Sequence, residues 1–416
     1  MTTKRILVIG GGAAGMLAAL FAAREGACVT ILERNEKLGK KIYITGKGRC
    51  NLTNAAPMED FMRSIVRNPR FLYAAFATFD NRNMMALMED LGVALKVERG
   101  NRVFPVSDHA SDITGALRRE LERLHVRIRY DARVEHLLLE DERCQGVQLT
   151  TGEKCLADAV IICTGGASYP TTGSTGDGYS LAREAGHSIQ KPMPALIPIE
   201  TRESWPSMLS GLSLKNVALK AWKTGGKKKK VFYEEQGEML FTHFGISGPL
   251  VLTLSSYMPE DMQNVHLSID LKPALDDETL DARLLRDFHD YSRKQLSAVM
   301  DGLTPHNLGL QLLVLAGISP QTPVHSVTQA QRQSILQLLK ALPLTPKGLR
   351  SIDEAIVTRG GITVKEINPS TMESKLAQGL YFAGEVMDVD AQTGGYNLQI
   401  AFSTGALAGA SAAREE

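Results

Sequence analysis

The six residues GGGAAG at positions 10–15 have the spacing of a phosphate-binding turn. In such a turn Gly10 suits the tight bend, Gly12 lets a pyrophosphate approach the backbone, and Gly15 lets the following helix pack on a strand. The N–H groups and the positive dipole end of that helix face the phosphates. Because Gly-x-Gly-x-x-Gly is weak evidence by itself, the prediction of a dinucleotide site depends on the flanking residues.

The flanking residues predict a strand–turn–helix–strand unit around this turn. Arg5–Ile9 and Cys28–Leu32 are apolar runs typical of strands buried on both faces, and residues 13–25 have helical spacing. Glu33 lies 18 residues after Gly15, where a carboxylate accepts hydrogen bonds from a ribose diol and repels a 2′-phosphate. The residues predicted to bind the nucleotide here are Gly10, Gly12, Ala13, Ala14, Gly15, Glu33 and Arg34.

The remainder of the chain favours FAD over NAD. A small antiparallel meander is predicted between residues 127 and 156, and a buried strand then leads into Thr164-Gly165-Gly166. Far along the chain, LYFAGE supplies a second glycine-acid turn and GGYNLQIAFSTG a late helix start, whose dipole stabilises negative charge on a reduced flavin. The cofactor residues predicted in these segments are Val134, Thr164, Gly165, Gly166, Gly384, Glu385, Asp388, Gly395, Tyr396, Asn397, Leu398 and Gln399.

Composition excludes several classes of protein. The 416 residues are 44% apolar and 22% charged, which is typical of a globular chain of two or three domains. A net charge of +1 provides no global attraction for nucleic acid or anionic membrane, and the run Lys227–Lys230 is predicted to be a solvated hairpin turn. Five cysteines without a Cys-x-x-Cys pair predict no zinc site and a reducing cytoplasm. No cleavable signal and no apolar stretch of ~18 residues are present, so we expect no membrane span.

Several motifs together resemble a known family. They are GKKIYITGKGRCNLTN (39–54), FPVSDHASD (104–112), GGASYPTTGSTGDGYSLAREAGH (165–187), FTHFGISGP (241–249) and GEVMDVDAQTGGYNLQIAFSTG (384–405). Their order is similar to that of the BaiN-like flavoproteins, also described as an aminoacetone-oxidase-like FAD family. The resemblance implies an α/β fold, in which a discontinuous, glutathione-reductase-like, Rossmann-like FAD domain carries an inserted β-barrel and a helical subdomain.

Changes in composition and in residue pattern along the chain indicate the boundaries of the FAD domain, the barrel and the helical subdomain. Proline-rich residues occur at 192–194 and 343–346, short alternating segments fill 195–271, and helical periodicity runs from 280 to 342. We therefore predict the FAD domain at 1–191 and 347–416, the barrel at 192–275 and the helical subdomain at 276–346.

The resemblance also implies roles for the GKKIYITGKGRCN block. Gly48, Arg49, Cys50 and Asn51 line the flavin, and Lys40 and Lys41 lie nearer the phosphates. Arg49, as a cation beside the flavin, favours its anionic reduced form. Thr45 and Asn51 hydrogen-bond its polar edge.

The chain contains one Gly-x-Gly-x-x-Gly and no Cys-x-x-x-x-Cys pair, so a nicotinamide binds only transiently or the substrate itself supplies the electrons. His243 is the first candidate for the acid or base, because histidine titrates near neutral pH. Tyr169 and Tyr396 are alternative phenolic donors. Cys50 is interpreted as a packing or flavin-contact residue, and His187 as a helix cap.

These observations predict a cytoplasmic FAD-dependent oxidoreductase that acts on a small or medium organic substrate. The resemblance alone favours NAD(P)H-linked reduction of a conjugated C=C bond. One alternative is an oxidase of an amine or alcohol that uses O2. A flavin-bearing RNA modifier, similar in its FAD domain to folate-dependent tRNA methyltransferases, and a non-enzymatic flavin sensor are others, although balanced charge argues against RNA. We expect no nucleic-acid or membrane partner and no metal, and the oligomeric state is left open.

Overall fold

The computed structural model describes residues 3–225 and 228–414, so Gly226 and Lys227 of the predicted lysine turn lie outside the described residues. The strands are β1 Arg5–Ile9, β2 Cys28–Leu32, β3 Thr53–Asn54, β4 Leu95–Glu98, β5 Arg102–Pro105, β6 Arg127–Arg129, β7 Val134–Glu140, β8 Arg143–Leu149, β9 Lys154–Leu156, β10 Ala159–Ile162, β11 Ile189–Ala195, β12 Ile199–Thr201, β13 Ser213–Gly225, β14 Lys228–Thr242, β15 Gly245–Ser247, β16 Val265–Asp270, β17 Leu342–Leu344, β18 Pro346–Leu349, β19 Val357–Ile362 and β20 Leu380–Phe382.

Helices fill much of the remaining chain. They are α1 Ala13–Arg24, α2 Lys40–Ile44, α3 Met58–Arg63, α4 Tyr73–Thr78, α5 Asn81–Asp90, α6 Ala110–Arg123, α7 Asp177–Glu184, α8 Trp205–Met208, α9 Pro249–Tyr257, α10 Asp277–Asp290, α11 Leu296–Met300, α12 His306–Leu315, α13 Gln329–Lys340 and α14 Tyr396–Ala413. Within the described chain, none of these helices combines the length and the apolar character that crossing a bilayer requires.

The chain divides into two compact units. The first comprises Met1–Ala195 and Ser351–Glu416, and the second comprises Leu196–Arg350. The boundaries predicted from the sequence, 191/192 and 346/347, lie about four residues before each of these divisions. Strand β11, the last strand before the second unit, pairs antiparallel with β19, which follows that unit in the chain. The pairing runs from Ile189 opposite Ile362 to Ala195 opposite Val357, so both strands belong to the first unit.

The first unit is built on a parallel sheet with the strand order β20-β10-β1-β2-β6. Its central strands are buried on both faces, as their continuous apolar runs require. Helix α14 packs closely on α1, since a Cβ added at Gly405 or Gly409 would lie 2.3 Å or 2.0 Å from the carbonyl oxygen of Ala14 or Ala18. The first and last segments of the chain therefore share one core.

Strand β6 differs from the sequence expectation. Residues 127–129 were expected to open the meander, but they pair in parallel with β2, from Thr30 opposite Arg127 to Leu32 opposite Arg129. The antiparallel meander consists of β7, β8 and β9. A three-residue edge strand with alternating polarity does not show in its sequence which neighbour it pairs with.

The second unit contains an antiparallel sheet with the strand order β17-β16-β13-β14-β15-β12-β18. Helices α8 to α13 belong to the same unit, and its core includes Leu219, Phe241 and Leu267. The proline-containing stretch expected to close the insert forms β17 and β18, which pair with β16 and β12. Division of this unit into a barrel and a helical subdomain stays a prediction.

Candidate functional site

Four of the predicted cofactor segments follow the carboxyl ends of parallel strands. Gly10 follows β1, Glu33 follows β2, Cys163 follows β10 and Ala383-Gly384 follows β20. Neighbouring segments are tied by backbone hydrogen bonds of 2.9 Å from Gly10 N–H to Leu32 and from Cys163 N–H to Ile9. Chain order reverses between β10 and β1, and open α/β sheets bind nucleotides in the crevice at such a point.

The three glycines of the first turn have different surroundings. Gly10 has φ +96°, and a Cβ there would lie 2.8 Å from the Cys163 carbonyl oxygen. A Cβ at Gly15 would lie 1.8 Å from the Gly10 oxygen, so any side chain there would displace the turn. At Gly12, by contrast, a Cβ would meet no atom within 4 Å. No protein atom therefore covers the backbone at the start of α1. This uncovered backbone fits a pyrophosphate, which binds to the N–H groups at a helix start.

Glu33 is buried and organises this turn. One carboxylate oxygen accepts a 2.7 Å hydrogen bond from Gly11 N–H, and the other accepts from the Asn35 backbone and side chain at 2.8 Å and 2.7 Å. A carboxylate has about four lone-pair positions, so Glu33 retains capacity for a ribose hydroxyl. Arg34 is held beside it by Asp177 at 3.1 Å.

Lys41 joins the GKK block to the second glycine-acid turn, 344 residues away in sequence. Its ammonium donates to Glu385 and to the Ser168 hydroxyl, each at 2.7 Å. Glu385 also accepts from Ser168 at 3.0 Å and from Thr358 N–H at 2.7 Å. Lys40 instead pairs with Glu36 at 2.9 Å.

Ser168 and Thr358 were not among the residues predicted from the sequence. The signal available for Thr358 was a run of polar residues and glycines inside VTRGGI, a strand buried at every position. Close packing here depends on Gly166, whose added Cβ would lie 2.4 Å from the Thr358 hydroxyl. The Thr164 hydroxyl is buried without a partner among the described residues. Val134 is buried at the start of β7.

The start of α14 is fixed by residues of the GRCN block. Gly395 has φ +100°, and a Cβ there would lie 2.4 Å from the Thr53 carbonyl oxygen. In the amide orientation that satisfies both groups, Asn51 donates to Thr53 O at 3.2 Å and accepts from Gly395 N–H at 3.1 Å. The Thr53 hydroxyl donates to buried Gln399 at 2.8 Å.

Asn397 holds the loop before this helix, because its amide bonds both N–H and C=O of Ala391 at 2.9 Å. The first N–H groups of a helix have no intrahelical partners, so those of Tyr396 to Leu398 form a positive end suited to an anion or a polarised carbonyl. This donor set and the bare backbone at Gly12 fit the two polar parts of FAD, its flavin edge and its pyrophosphate.

A second network missed by the sequence analysis holds the loop 388–392. Asp390 is fully buried, and Arg67 donates to it at 2.7 Å. Burial raises the pKa of the Asp390 carboxyl, while the guanidinium of Arg67 opposes that shift. Asn68 donates to the Asp388 carbonyl at 2.6 Å, and Val66 N–H donates to the Asp390 carbonyl at 2.9 Å.

Arg49, expected as a cation beside the flavin, is paired with two carboxylates. It pairs with Glu98 at 2.8 Å and Asp108 at 3.3 Å, and its guanidinium lies 4.1 Å from the centre of the Phe104 ring. Lys96 pairs with the same Asp108 at 2.7 Å, so the two cations and two carboxylates of this cluster cancel. The favourable field that was expected for a reduced flavin is correspondingly weakened.

The neighbouring Cys50 and Thr45 are engaged within the protein. Cys50 is fully buried, and burial raises the pKa of its thiol to about 12. It is therefore a neutral thiol near pH 7, which suits a packing role and not a nucleophile. The Thr45 hydroxyl donates to the Ile42 carbonyl at 2.8 Å, and Gly48 follows in the same turn.

The candidate acid–base residues fall in both units. Tyr169 and Tyr396 belong to the first unit, where the Tyr396 ring packs edge-on against Phe61 with centroids 4.7 Å apart. His243 is exposed in the turn between β14 and β15 of the second unit. The catalytic role of each stays a prediction.

His187 is buried, and its Nε2 lies 2.7 Å from the Ser374 hydroxyl. Its Nδ1 lies 3.3 Å from Glu366, and burial lowers its pKa. The His187 N–H also bonds the Ala182 carbonyl at the end of α7, so the residue serves the fold. No cluster of three or more metal-ligating side chains occurs within residues 3–225 and 228–414.

Comparison with known proteins agrees with this geometry. Residues 4–411 match the family described as HI0933-like protein Rossmann domain. The chain is 34% identical over 417 residues to the 3-dehydro-bile acid delta(4,6)-reductase of Clostridium scindens, which covers 99% of both chains. It is 30% identical over 402 residues to the ribosomal RNA dihydrouridine synthase of Haemophilus influenzae, which covers 96% of both chains.

Solved structures share the fold. A quinol-fumarate reductase with menaquinol matches with a TM-score of 0.53 and 15% identity over 99% of this chain and 71% of the other. The 3-ketosteroid-Δ4-(5α)-dehydrogenase of Rhodococcus jostii RHA1 matches with a TM-score of 0.52 and 16% identity over 99% and 97%. The predicted α/β class, the Rossmann-like domain and the FAD cofactor are confirmed. The chain therefore belongs to the HI0933-like Rossmann-domain family and is an FAD-dependent oxidoreductase.

Proposed function

We propose that this protein reduces a carbon–carbon double bond conjugated to a carbonyl group, with NAD(P)H as the ultimate donor. The observation that carries the proposal is the full-length similarity to the Clostridium scindens reductase. A 3-dehydro bile acid with double bonds at positions 4 and 6 is a conjugated ketone. The uracil of uridine, which a dihydrouridine synthase reduces, also contains a C=C conjugated to a carbonyl. Relatives of both kinds therefore share one type of reacting bond.

The reaction balances without another oxidant or reductant. NAD(P)H gives up two electrons as hydride, the carbon β to the carbonyl receives a hydride, and the α-carbon receives a proton from solvent through a protein acid. The products are NAD(P)⁺ and the saturated ketone. Bound FAD supplies the hydride transfer between the donor and the substrate.

The chain's own residues bind and orient that cofactor in this proposal. The backbone at Gly12 and the start of α1 hold the pyrophosphate, and Glu33 accepts from a ribose hydroxyl. Lys41 and Glu385 fix the second turn, and the Asn51–Gly395 contact aims the positive end of α14. Tyr396, Tyr169 and His243 are the proposed sources of the α-carbon proton. We also propose that the protein acts in the cytoplasm.

Anaerobic stopped-flow mixing tests the donor half-reaction. The FAD-loaded protein is mixed with NADH or NADPH, and we expect the yellow flavin colour to bleach. A 3-oxo-4,6-diene steroid added next should restore the colour and yield a ketone with one C=C bond fewer for each flavin reoxidised, while the fully saturated steroid serves as control. A flavin that stays yellow with both nucleotides but bleaches with an amine or alcohol would show an oxidase instead.

Uracil within RNA is the second candidate substrate, and the Haemophilus influenzae relative favours it. A relative of the same name from Escherichia coli is 32% identical over 398 residues and covers 96% of this chain. The same reduced protein is incubated with protein-free ribosomal RNA, and nucleosides are analysed by mass spectrometry. Dihydrouridine, with two hydrogens more than uridine, supports this candidate, and unchanged uridine beside a reduced steroid excludes it.

A further inference from the structure

The end of the β13–β14 hairpin carries a concentration of positive charge that the chain as a whole lacks. Residues 213–231 contain seven lysines and no acidic residue, whereas the net charge of all 416 residues is only +1. Lys227 is outside the described residues. We call Lys220, Trp222, Lys223, Lys228, Lys229, Lys230 and His266 the basic hairpin end.

Folding of the hairpin does not account for this charge. The two strands pair as far as Gly225 opposite Lys228, and Lys223 lies directly opposite Lys230. Like charges directly opposite each other destabilise an antiparallel pair. Among the described lysines of this segment, two are compensated, Lys220 by Glu234 at 2.8 Å and Lys223 by Asp261 at 2.9 Å.

Three further lysines, Lys228, Lys229 and Lys230, are exposed and form no ion pair with any described residue. The Lys229 ammonium lies 3.9 Å from the centre of the Trp222 ring. Trp222 in turn stacks on His266, with ring centroids 5.7 Å apart and an angle of 23° between the planes. A cation–π contact of this kind holds an ammonium group in place without neutralising it.

We propose that the basic hairpin end binds the sugar–phosphate backbone of RNA. Uncompensated lysines next to an aromatic side chain are the groups that neutralise phosphates and release counterions. An anionic membrane is a poorer match, because anchoring at a membrane surface needs an apolar face. Among the described residues of β13 and β14, Val231 alone is a large apolar side chain that is exposed. The inference contradicts the sequence expectation of no nucleic-acid partner, and it rests on the second candidate substrate proposed above.

The test compares two triple variants with the same change in charge. Lys228→Ser/Lys229→Ser/Lys230→Ser removes the uncompensated lysines, and Lys154→Ser/Lys294→Ser/Lys375→Ser removes three exposed lysines elsewhere. Fluorescence anisotropy measures binding of the FAD-loaded proteins to a labelled, uridine-rich single-stranded RNA at several salt concentrations. With about 0.7 of a counterion released per contact in single strands, we expect the hairpin variant to lose about 2 from the log–log salt slope. Its affinity at physiological salt should fall at least about tenfold, and the control should match the wild type.

Three outcomes overturn the inference. They are a wild type that does not bind RNA, an equal loss in the two triple variants, and binding to phosphatidylglycerol vesicles without binding to RNA. Matching thermal unfolding curves exclude a folding defect. Formation of dihydrouridine in protein-free ribosomal RNA is measured separately, so a failure of the basic hairpin end to bind RNA is distinguished from a failure of the proposed uracil reduction.

Discussion

Gly12→Ala separates cofactor binding from folding. Gly12 has φ −80° and ψ −165°, values that alanine adopts without strain, and the added Cβ meets no protein atom within 4 Å. A Gly→Ala change at such a position stabilises a protein by about 0.4–1 kcal/mol through the unfolded chain, and the poorer N-cap preference of alanine at the start of α1 offsets part of that gain. The same methyl group occupies the space into which a pyrophosphate must come. Loss of one charge-assisted hydrogen bond costs about 1.5–3 kcal/mol, so the Kd for FAD should rise roughly 10- to 150-fold.

The assay follows from these opposite signs. The apoprotein is prepared, its thermal unfolding is measured, and FAD is titrated by quenching of flavin fluorescence. We expect Gly12→Ala to unfold at the wild-type temperature or slightly above it and to bind FAD weakly. Gly15→Ala is the matched control, because its Cβ would lie 1.8 Å from the Gly10 oxygen and must destabilise the apoprotein itself. Wild-type FAD affinity in Gly12→Ala would refute the placement of the pyrophosphate.

Three other predictions concern buried groups. Arg67→Ala leaves the buried Asp390 carboxylate without its hydrogen-bonded cation and should cost about 3–5 kcal/mol of unfolding free energy at pH 8 in denaturant titrations. The cost should shrink as the pH falls, because burial raises the pKa of this carboxyl and the variant removes a cation that opposes that shift. Burial lowers the pKa of His187 in the folded protein, so the unfolded chain takes up the proton at a higher pH than the folded protein does. The free energy of unfolding should therefore fall as the pH drops below about 6.5. In urea melts between pH 5 and 7, His187→Gln should weaken this dependence on pH. Burial raises the pKa of the Cys50 thiol to about 12, so Cys50 should resist iodoacetamide while exposed Cys28 is alkylated. The flavin of Cys50→Ala should still be bleached by the electron donor of the wild type. Rapid inactivation by alkylation of Cys50 would contradict this prediction.

The local parts of the fold could be predicted from the sequence because each leaves a pattern in adjacent residues. Apolar runs identified β1, β2 and β10, and the glycine spacing identified the first turn. The meeting of α1 with α14 was predictable for a different reason. Two glycine-acid turns in one chain make chemical sense only if both contact one cofactor, and that requirement brings the ends together.

The polar networks could not be predicted, because their partners lie hundreds of residues apart. Nothing near Lys41 identifies Glu385, and nothing near Asp390 identifies Arg67. Arg49 shows the opposite error, since its charge was evident but the two carboxylates that compensate it were not. A single sequence reveals that a charged residue is present, whereas the field it produces depends on partners that only the fold brings close.

These networks also explain why the apoprotein should be folded, as the Gly12→Ala experiment requires. Glu33, Lys41, Asn51 and Asn397 are each held by hydrogen bonds to other protein groups. Preorganised donors and acceptors lose little conformational entropy on binding, so cofactor affinity is determined by contacts at the site and not by ordering of the chain. FAD should therefore stabilise the protein only by mass action, with a shift in unfolding free energy that grows as RT ln(1 + [FAD]/Kd). The same relation holds when a cofactor orders the chain, so circular dichroism distinguishes the two cases. A gain of secondary structure when FAD is added to the apoprotein would show that the cofactor orders the site.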